Sequence, residues 1–175
     1  MTDKDLTFAP HFPQDMGGDY AVALFEPEIP LNTGSVARTC ACTGVPLHIV
    51  GMPGFRLDHR LARRAGLDYW EHAEVQIHRT WDEYCDAMGD RRMWFLSTKG
   101  GKAYWEAEFA PGDILVFGSE GSGLPDTILG SGRGEVLRVP MVPQRRSLNL
   151  SNTVAIVLYE MLRQRACLIN TVINE

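Results

Sequence analysis

Apolar residues fall into short runs separated by polar, glycine-rich stretches. Tyr20 to Phe25, Leu47 to Val50, Met93 to Leu96 and Ile114 to Phe117 are runs of the length and composition of strands buried on both faces. Glu74 to His78 and Val136 to Val139 read as two more strands. Between the runs the spacing turns helical. Val36, Ala37, Cys40 and Ala41 share one face of a helix from Thr33 to Thr43, opened by Asn32 or Thr33 and stopped by Gly44. Pro27 and Pro30 predict an extended loop just before it. Trp81 to Met88 reads as a helix, and so does Arg56 to Gly66. In the last helix, Thr153 to about Cys167, Val154, Val157, Leu158, Met161 and Leu162 recur at helical spacing, with Ser151 or Asn152 as its cap. Strands alternating with helices predict an α/β domain built on a mostly parallel sheet flanked by helices.

The chain has 175 residues, 45% of them hydrophobic, which suits one core better than two. Residues 1–19 mix charges, prolines and glycines without periodicity and read as a flexible extension, leaving 20–175 as a single domain. Ala155, Ile156, Ala166, Leu168 and Ile169 keep the last helix apolar on more than one face. A second protein surface is the expected partner.

A net charge of −5 argues against coating nucleic acid by bulk attraction, yet the charges are segregated. Arginines gather between Arg56 and Arg64 and at Arg145 and Arg146. Arg60, Arg63 and Arg64 share one helix face, which is either solvated or set against a phosphate backbone. Cys40, Cys42, Cys85 and Cys167 offer no CxxC pair, so a reducing, cytoplasmic compartment is expected, with Cys40 and Cys42 as small half-buried helix residues. The five histidines show no ligand spacing and no metal site is expected. No apolar run is long enough to span a bilayer.

Four strands end in loops rich in glycine or hydrogen-bonding residues: Glu26 to Asn32, Ser97 to Lys102, Gly118 to Pro125 and Pro140 to Asn152. In a parallel sheet the carboxyl ends of all strands share one edge, where ligands bind. The four loops are therefore expected to form one pocket. Gly118, Gly121 and Gly123 allow close approach of a ligand to backbone, and Glu120 is the only charge among them. Their order, G-x-x-G-x-G, is not the dinucleotide fingerprint, and the P-loop pattern is absent. Lys99 and Lys102 read as solvated loop charges.

Three of these stretches together resemble the motifs of the SpoU branch of the SPOUT RNA methyltransferases. They are N-x-G-x-x-x-R at Asn32, Gly34 and Arg38, G-x-E-x-x-G-L-P from Gly118 to Pro125, and S-L-N-L-S-N from Ser147 to Asn152. The likeness runs from about Tyr20 to Arg163. Pro27 to Pro30, Arg63 to Tyr69 and Val139 to Pro143 look most like the short enzymes that methylate the ribose of the tRNA wobble nucleotide. Ser35 departs from the pattern, since relatives usually carry Asn there.

The resemblance implies S-adenosylmethionine as methyl donor, no metal, a C-terminal trefoil knot, a homodimer with a shared active site, and tRNA as substrate. It implies that Leu96, Thr98, Gly118, Glu120, Gly123, Val139, Met141, Ser147, Leu148 and Asn152 surround the cofactor. Arg38 would face the reacting ribose beside Asn32 and Asn149. Tyr159 is suggested for the substrate end, although its helical spacing also fits a core residue. Glu120 is open to two readings, a proton acceptor or a carboxylate that bonds backbone amides. Arg60, Arg63, Arg64, Arg145 and Arg146 are the candidate RNA contacts. Methylation of another tRNA position or of rRNA is the alternative function, and a non-catalytic RNA-binding module is the alternative of a different class.

Overall fold

The computed structural model describes residues 19–55 and 72–173, with side chains through Ala166. The extension up to Gly18 and the Arg56 to Gly66 helix lie outside the described residues. Those described form β1 (Ala21–Phe25), α1 (Pro30–Thr43), β2 (Leu47–Val50), β3 (Val75–His78), α2 (Trp81–Met88), β4 (Met93–Leu96) and β5 (Lys102–Ala103). A 3-10 turn (Tyr104–Glu106), β6 (Ile114–Phe117), α3 (Asp126–Leu129), β7 (Gly134–Arg138) and α4 (Leu150–Ile173) follow.

The strands form one sheet in the order β3-β2-β1-β6-β4-β7-β5, with every pairing parallel. From β1 the chain steps outward through β2 to β3, then builds the other half of the sheet. Leu24 pairs with Phe117, Phe117 with Leu96, and Leu96 with Leu137, so four carboxyl ends lie side by side.

Strand alternation divides the core in two. Val22, Leu24, Leu47, Ile49, Leu96, Leu115, Phe117 and Leu137 face α1 and α4, where Val36, Cys40, Val154, Leu158 and Met161 complete one cluster. Ala21, Ala23, Met93, Phe95, Ile114 and Val116 face the other way, where Tyr84 and Ile128 lie among the buried residues. Each large apolar side chain so buried contributes roughly 1.5–3 kcal/mol. Helices on both sheet faces explain why the central strands are continuous apolar runs.

The helix starts differ from expectation. Pro30 does not prolong the loop: it opens α1, because a residue without an N–H and with φ already fixed suits the first helical position. Asn32 and Thr33 therefore lie inside α1, and no side chain caps it. Gly44 ends it in the left-handed conformation, φ +70°. α4 begins at Leu150 rather than Thr153, so Ser151 and Asn152 are its first-turn residues and not its caps. β5 and α3, of two and four residues, are too short to leave a periodic signal. β7 starts at Gly134 and ends at Arg138, two residues before and one before the expected bounds. A Cβ on Gly134 would overlap the Met93 carbonyl, which is why a glycine lies within this strand.

Several polar groups in the core are paired. Asp113 accepts from Arg92 and from the Trp94 indole N–H at 2.7 Å, tying β4 to the start of β6. Under α2, the buried rings of His48 and His78 lie with Nδ1 and Nε2 2.9 Å apart, within hydrogen-bond distance. Burial, then the neighbouring His78 and Arg91, push His48 down to about 4. Cys40 is buried and Cys42 exposed, rather than both half-buried. Burial pushes the Cys40 thiol up to about 12, so it behaves as a small apolar group.

Candidate functional site

Beyond the carboxyl ends of the strands lies a cavity of about 620 Å³. All four expected loops reach it. Leu96, Thr98 and Lys99 come from the end of β4, Gly118, Glu120 and Gly123 from the end of β6, and Val139 and Met141 from the end of β7. Arg146, Ser147, Leu148 and Asn149 line it just before α4, and Ile29 and Asn32 line it at the start of α1. The walls thus combine apolar side chains with glycine backbone and a few amides, the usual make-up of a small-molecule site.

The turn after β6 is tight. Gly123 N–H donates to the Ser119 carbonyl at 3.0 Å, the two Ser119 and Ser122 hydroxyls lie 2.8 Å apart, and Gly123 has φ +70°. A Cβ on Gly118 would overlap the Gly123 carbonyl carbon and the Leu124 nitrogen. Glycine is required there by backbone meeting backbone.

Glu120 anchors a chain of hydrogen bonds across the site. Its carboxylate accepts from the Glu28 N–H at 2.8 Å, the Ile29 N–H at 3.3 Å and Asn32 Nδ2 at 2.8 Å. Asn32 Oδ1 then accepts from Asn149 Nδ2 at 2.9 Å. Asn149 Oδ1 in turn accepts from the Ser151 N–H at 2.9 Å, the Ser151 hydroxyl at 2.7 Å and the Asn152 N–H at 3.3 Å. Asn149 is therefore the cap of α4. An ionised carboxylate only accepts, so it dictates which way both amides point. Of the two readings of Glu120, the geometry displays the one in which it bonds backbone amides.

The early turns of α1 accommodate their polar side chains by bonding back to the helix. The hydroxyls of Thr33, Ser35 and Thr39 each donate to the carbonyl four residues earlier. Ser35, the position departing from the family pattern, is spent on Leu31 O at 2.9 Å and does not reach the cavity lining.

Of the expected cofactor contacts, Asn152 alone is absent from the lining: its backbone N–H faces Asn149 instead. Arg38 and Tyr159 are not in the lining either. Arg38 is exposed on α1 in a stripe with Leu31, Ser35 and Cys42, and Tyr159 is exposed on α4 in a stripe with Asn152, Ile156 and Arg163. Tyr159, at 45% exposure, is not a core residue. The two helices pack against each other through their other faces. Arg146 lines the cavity and Arg145 does not, while Arg60, Arg63 and Arg64 lie outside the described residues. Lys99, read as merely solvated, lines the cavity and pairs with Asp126 at 2.6 Å, and Lys102 pairs with Glu135. The sequence pattern assigned no role to Glu28 and Ile29, whose backbone N–H groups meet Glu120 and of which Glu28 also accepts from the Gly121 N–H, contacts made across distant loops.

Among the described residues no group of three or more His, Cys, Asp and Glu could hold a metal ion. No helix among them is long and apolar enough to cross a membrane.

A parallel sheet with this cavity and this set of amides is the arrangement of a SpoU-type methyltransferase. Residues 19–159 match the SpoU rRNA Methylase family, and the chain belongs to it. Over 146 residues it is 47% identical to the tRNA (cytidine(34)-2'-O)-methyltransferase of Methylovorus glucosotrophus (strain SIP3-4), spanning 83% of this chain and 95% of the relative. The enzyme of the same description from Escherichia coli (strain K12) is 46% identical over 144 residues, 82% of this chain and 92% of the relative. A solved structure described as giving insights into the 2-OH methylation of C/U34 on tRNA superposes with a TM-score of 0.79 at 40% identity, covering 84% of this chain and 96% of that one. An AdoMet-bound rRNA methyltransferase from Sinorhizobium meliloti superposes at 0.71 with 25% identity, covering 84% of this chain and 57% of that one. The family likeness read from three motifs is borne out.

Proposed function

We propose that this protein methylates the ribose 2'-hydroxyl of the wobble nucleotide, position 34, of tRNA, using S-adenosylmethionine and no metal. The observation that carries the reading is the meeting of three motif loops, far apart in sequence, around one 620 Å³ cavity. Relatives 47% and 46% identical to the chain bear the name of this reaction.

The cavity fits the donor. Gly118, packed against the Gly123–Leu124 backbone, lets the tight turn line the cavity, and Leu96, Val139, Met141 and Leu148 provide apolar walls for a flat heterocycle. Thr98, Gly123 and Ser147 add polar groups at the rim. When bound, the cofactor supplies a methyl group on a positively charged sulfur. The chain's part is to hold and orient both reactants and to exclude water, which favours a reaction in which opposite charges cancel.

Asn32 and Asn149 each keep one amide hydrogen beyond those used in the chain from Glu120, directed by a network that fixes their orientation. They are placed to receive the ribose. Glu120 serves as a strut for Asn32. Arg38 clamps the adjoining phosphate and stabilises the developing alkoxide, because a guanidinium stays charged and cannot take the proton at ordinary pH.

Arg38 stands outside this chain's own cavity lining, on an exposed stripe with Leu31, and the neighbouring stripe of α4 carries Ile156 and Tyr159. A homodimer that buries both stripes brings Arg38 of one protomer to the cavity of its partner. Arg146, in the cavity lining, and its sequence neighbour Arg145 are the candidate contacts for the RNA backbone. A trefoil knot in the C-terminal half belongs to this reading, and the position of β4 between β6 and β7 with α4 packed on α1 supports it. The protein acts in the cytoplasm, where its substrate is found.

Nucleoside mass spectrometry of tRNA from cells with and without the protein tests the reading. Loss of 2'-O-methylation at position 34 is expected in its absence. An unchanged ribose there would move the target to another tRNA position or to rRNA.

A further inference from the structure

We propose that Glu28 is a positioning residue that holds the β6 turn, and through it Glu120 and Asn32, in working register. The inference rests on the methyl transfer proposed above. Glu28 and Glu120 form a reciprocal pair across two loops. Glu28 N–H donates to Glu120 Oε2 at 2.8 Å, and Glu28 Oε2 accepts from the Gly121 N–H at 3.1 Å. Each carboxylate thus satisfies backbone of the loop that carries the other.

The approach is close. A Cβ on Gly121 would lie 2.9 Å from Glu28 Oε2, and one on Gly54 would lie 3.2 Å from Glu28 Cα. Gly54 N–H also donates to the Pro27 carbonyl at 2.9 Å, so the loop after β2 joins the loops after β1 and β6 at this point. Three loops meet at Glu28. Pro27 and Pro30 on either side limit the backbone freedom of the segment that presents it.

The consequence lies in the geometry of the site. Gly121 and Glu120 are consecutive, so releasing the Gly121 N–H loosens the residue that orients Asn32. The Asn32 and Asn149 amides then lose the anchor that fixes their direction. Because Glu28 itself is exposed, its removal leaves no cavity in the core. Its effect falls on registration and not on folding.

The test uses the full-length protein with Glu28→Ala and Glu28→Gln. Gln keeps an oxygen for the Gly121 N–H, whereas Ala keeps none. For Glu28→Ala the expected result is a kcat lowered by about 10-fold or more, as for a small misplacement of reacting groups, with a nearly unchanged melting temperature. Glu28→Gln should recover most of it. Hydrogen exchange at the Gly121 amide should quicken in Glu28→Ala and not in Glu28→Gln. Adding Glu28→Ala to Glu120→Ala should cost little more than Glu120→Ala alone. Unchanged kcat and unchanged Gly121 exchange in Glu28→Ala would overturn the proposal, as would a Gln variant as impaired as the Ala variant. If the wild-type protein leaves the wobble ribose unmethylated, the functional reading fails, while the exchange measurement still decides whether Glu28 holds the turn.

Discussion

Asn32 and Asn149 are separated by 117 positions in sequence and joined by a hydrogen bond of 2.9 Å, from Asn149 Nδ2 to Asn32 Oδ1. The bond links the first turn of α1 to the cap of α4, and it has a direction because Asn32 Nδ2 is committed to Glu120. Asn149 thereby serves helix stability and site geometry at once, and the two roles can be separated.

Asn149→Asp keeps an acceptor for the Ser151 and Asn152 N–H groups but turns a second oxygen toward Asn32 Oδ1. Stability should hold while turnover falls by about 10-fold or more, the cost of disturbing orientation. Asn149→Ala should lose both, with about 1 kcal/mol of stability going with the cap. Thermal melts and steady-state kinetics on the same preparations decide it. An Asp variant with wild-type turnover would show that the amide link is idle.

Gly118→Ala places a methyl group where the Gly123 carbonyl carbon and the Leu124 nitrogen already lie. Backbone must move, at a cost of about 1–3 kcal/mol. Since that backbone lines the cavity, binding of S-adenosylmethionine followed by calorimetry should weaken as well. Wild-type affinity in this variant would place the cofactor elsewhere.

Arg38→Lys removes the planar fork and retains the charge. Arg38 is exposed on α1, so stability should be unchanged, while kcat falls by roughly 10-fold to 100-fold for loss of a charge-assisted bidentate contact. Full turnover with Lys would sink the bidentate clamp. Nothing about the fold depends on the outcome.

Leu31→Asp combined with Ile156→Asp sets charges on the two exposed stripes proposed to pair between protomers. The wild-type protein should sediment as a dimer and the double variant as a monomer with intact secondary structure and without methylation activity. A wild-type monomer in sedimentation would remove the shared-site arrangement for Arg38.

The buried His48 and His78 pair predicts an acid weakness. His48 has an ordinary value of 6.5 and is pushed down to about 4 in the folded chain, chiefly by burial. Between these values the unfolded chain binds a proton that the folded chain refuses, so stability falls as pH drops from 6.5 toward 4 and levels off below. Urea midpoints across that window measure the slope. His48→Gln, which keeps a hydrogen-bonding group beside His78, should flatten it.

Much of this was legible in the chain. The buried strands are continuous apolar runs because both faces of the sheet are covered, and α2 is bounded as read because Thr80 caps it and Gly89 ends it. The glycines after β6 and the polar run before α4 pointed to the cavity together with the stretch opening α1, since in a parallel sheet the loops after the strands share one edge. Local pattern failed where tertiary contact decides. Pro30 opens a helix, and the 24-residue α4 starts three residues early because its cap, Asn149, is the residue that also faces Asn32.

Sequence by itself determined the α/β class, the central strands and the family, because burial on two faces and the spacing of the three motifs are one-dimensional signals. Only the tertiary structure decided that the Glu120 carboxylate bonds the Glu28 and Ile29 N–H groups and Asn32, that the Glu28 carboxylate accepts from the Gly121 N–H, and that Arg38 stands outside its own chain's cavity lining. Those facts depend on which backbone N–H groups and amides meet across loops some ninety to a hundred and twenty residues apart, about which the order of side chains along the chain carries no information.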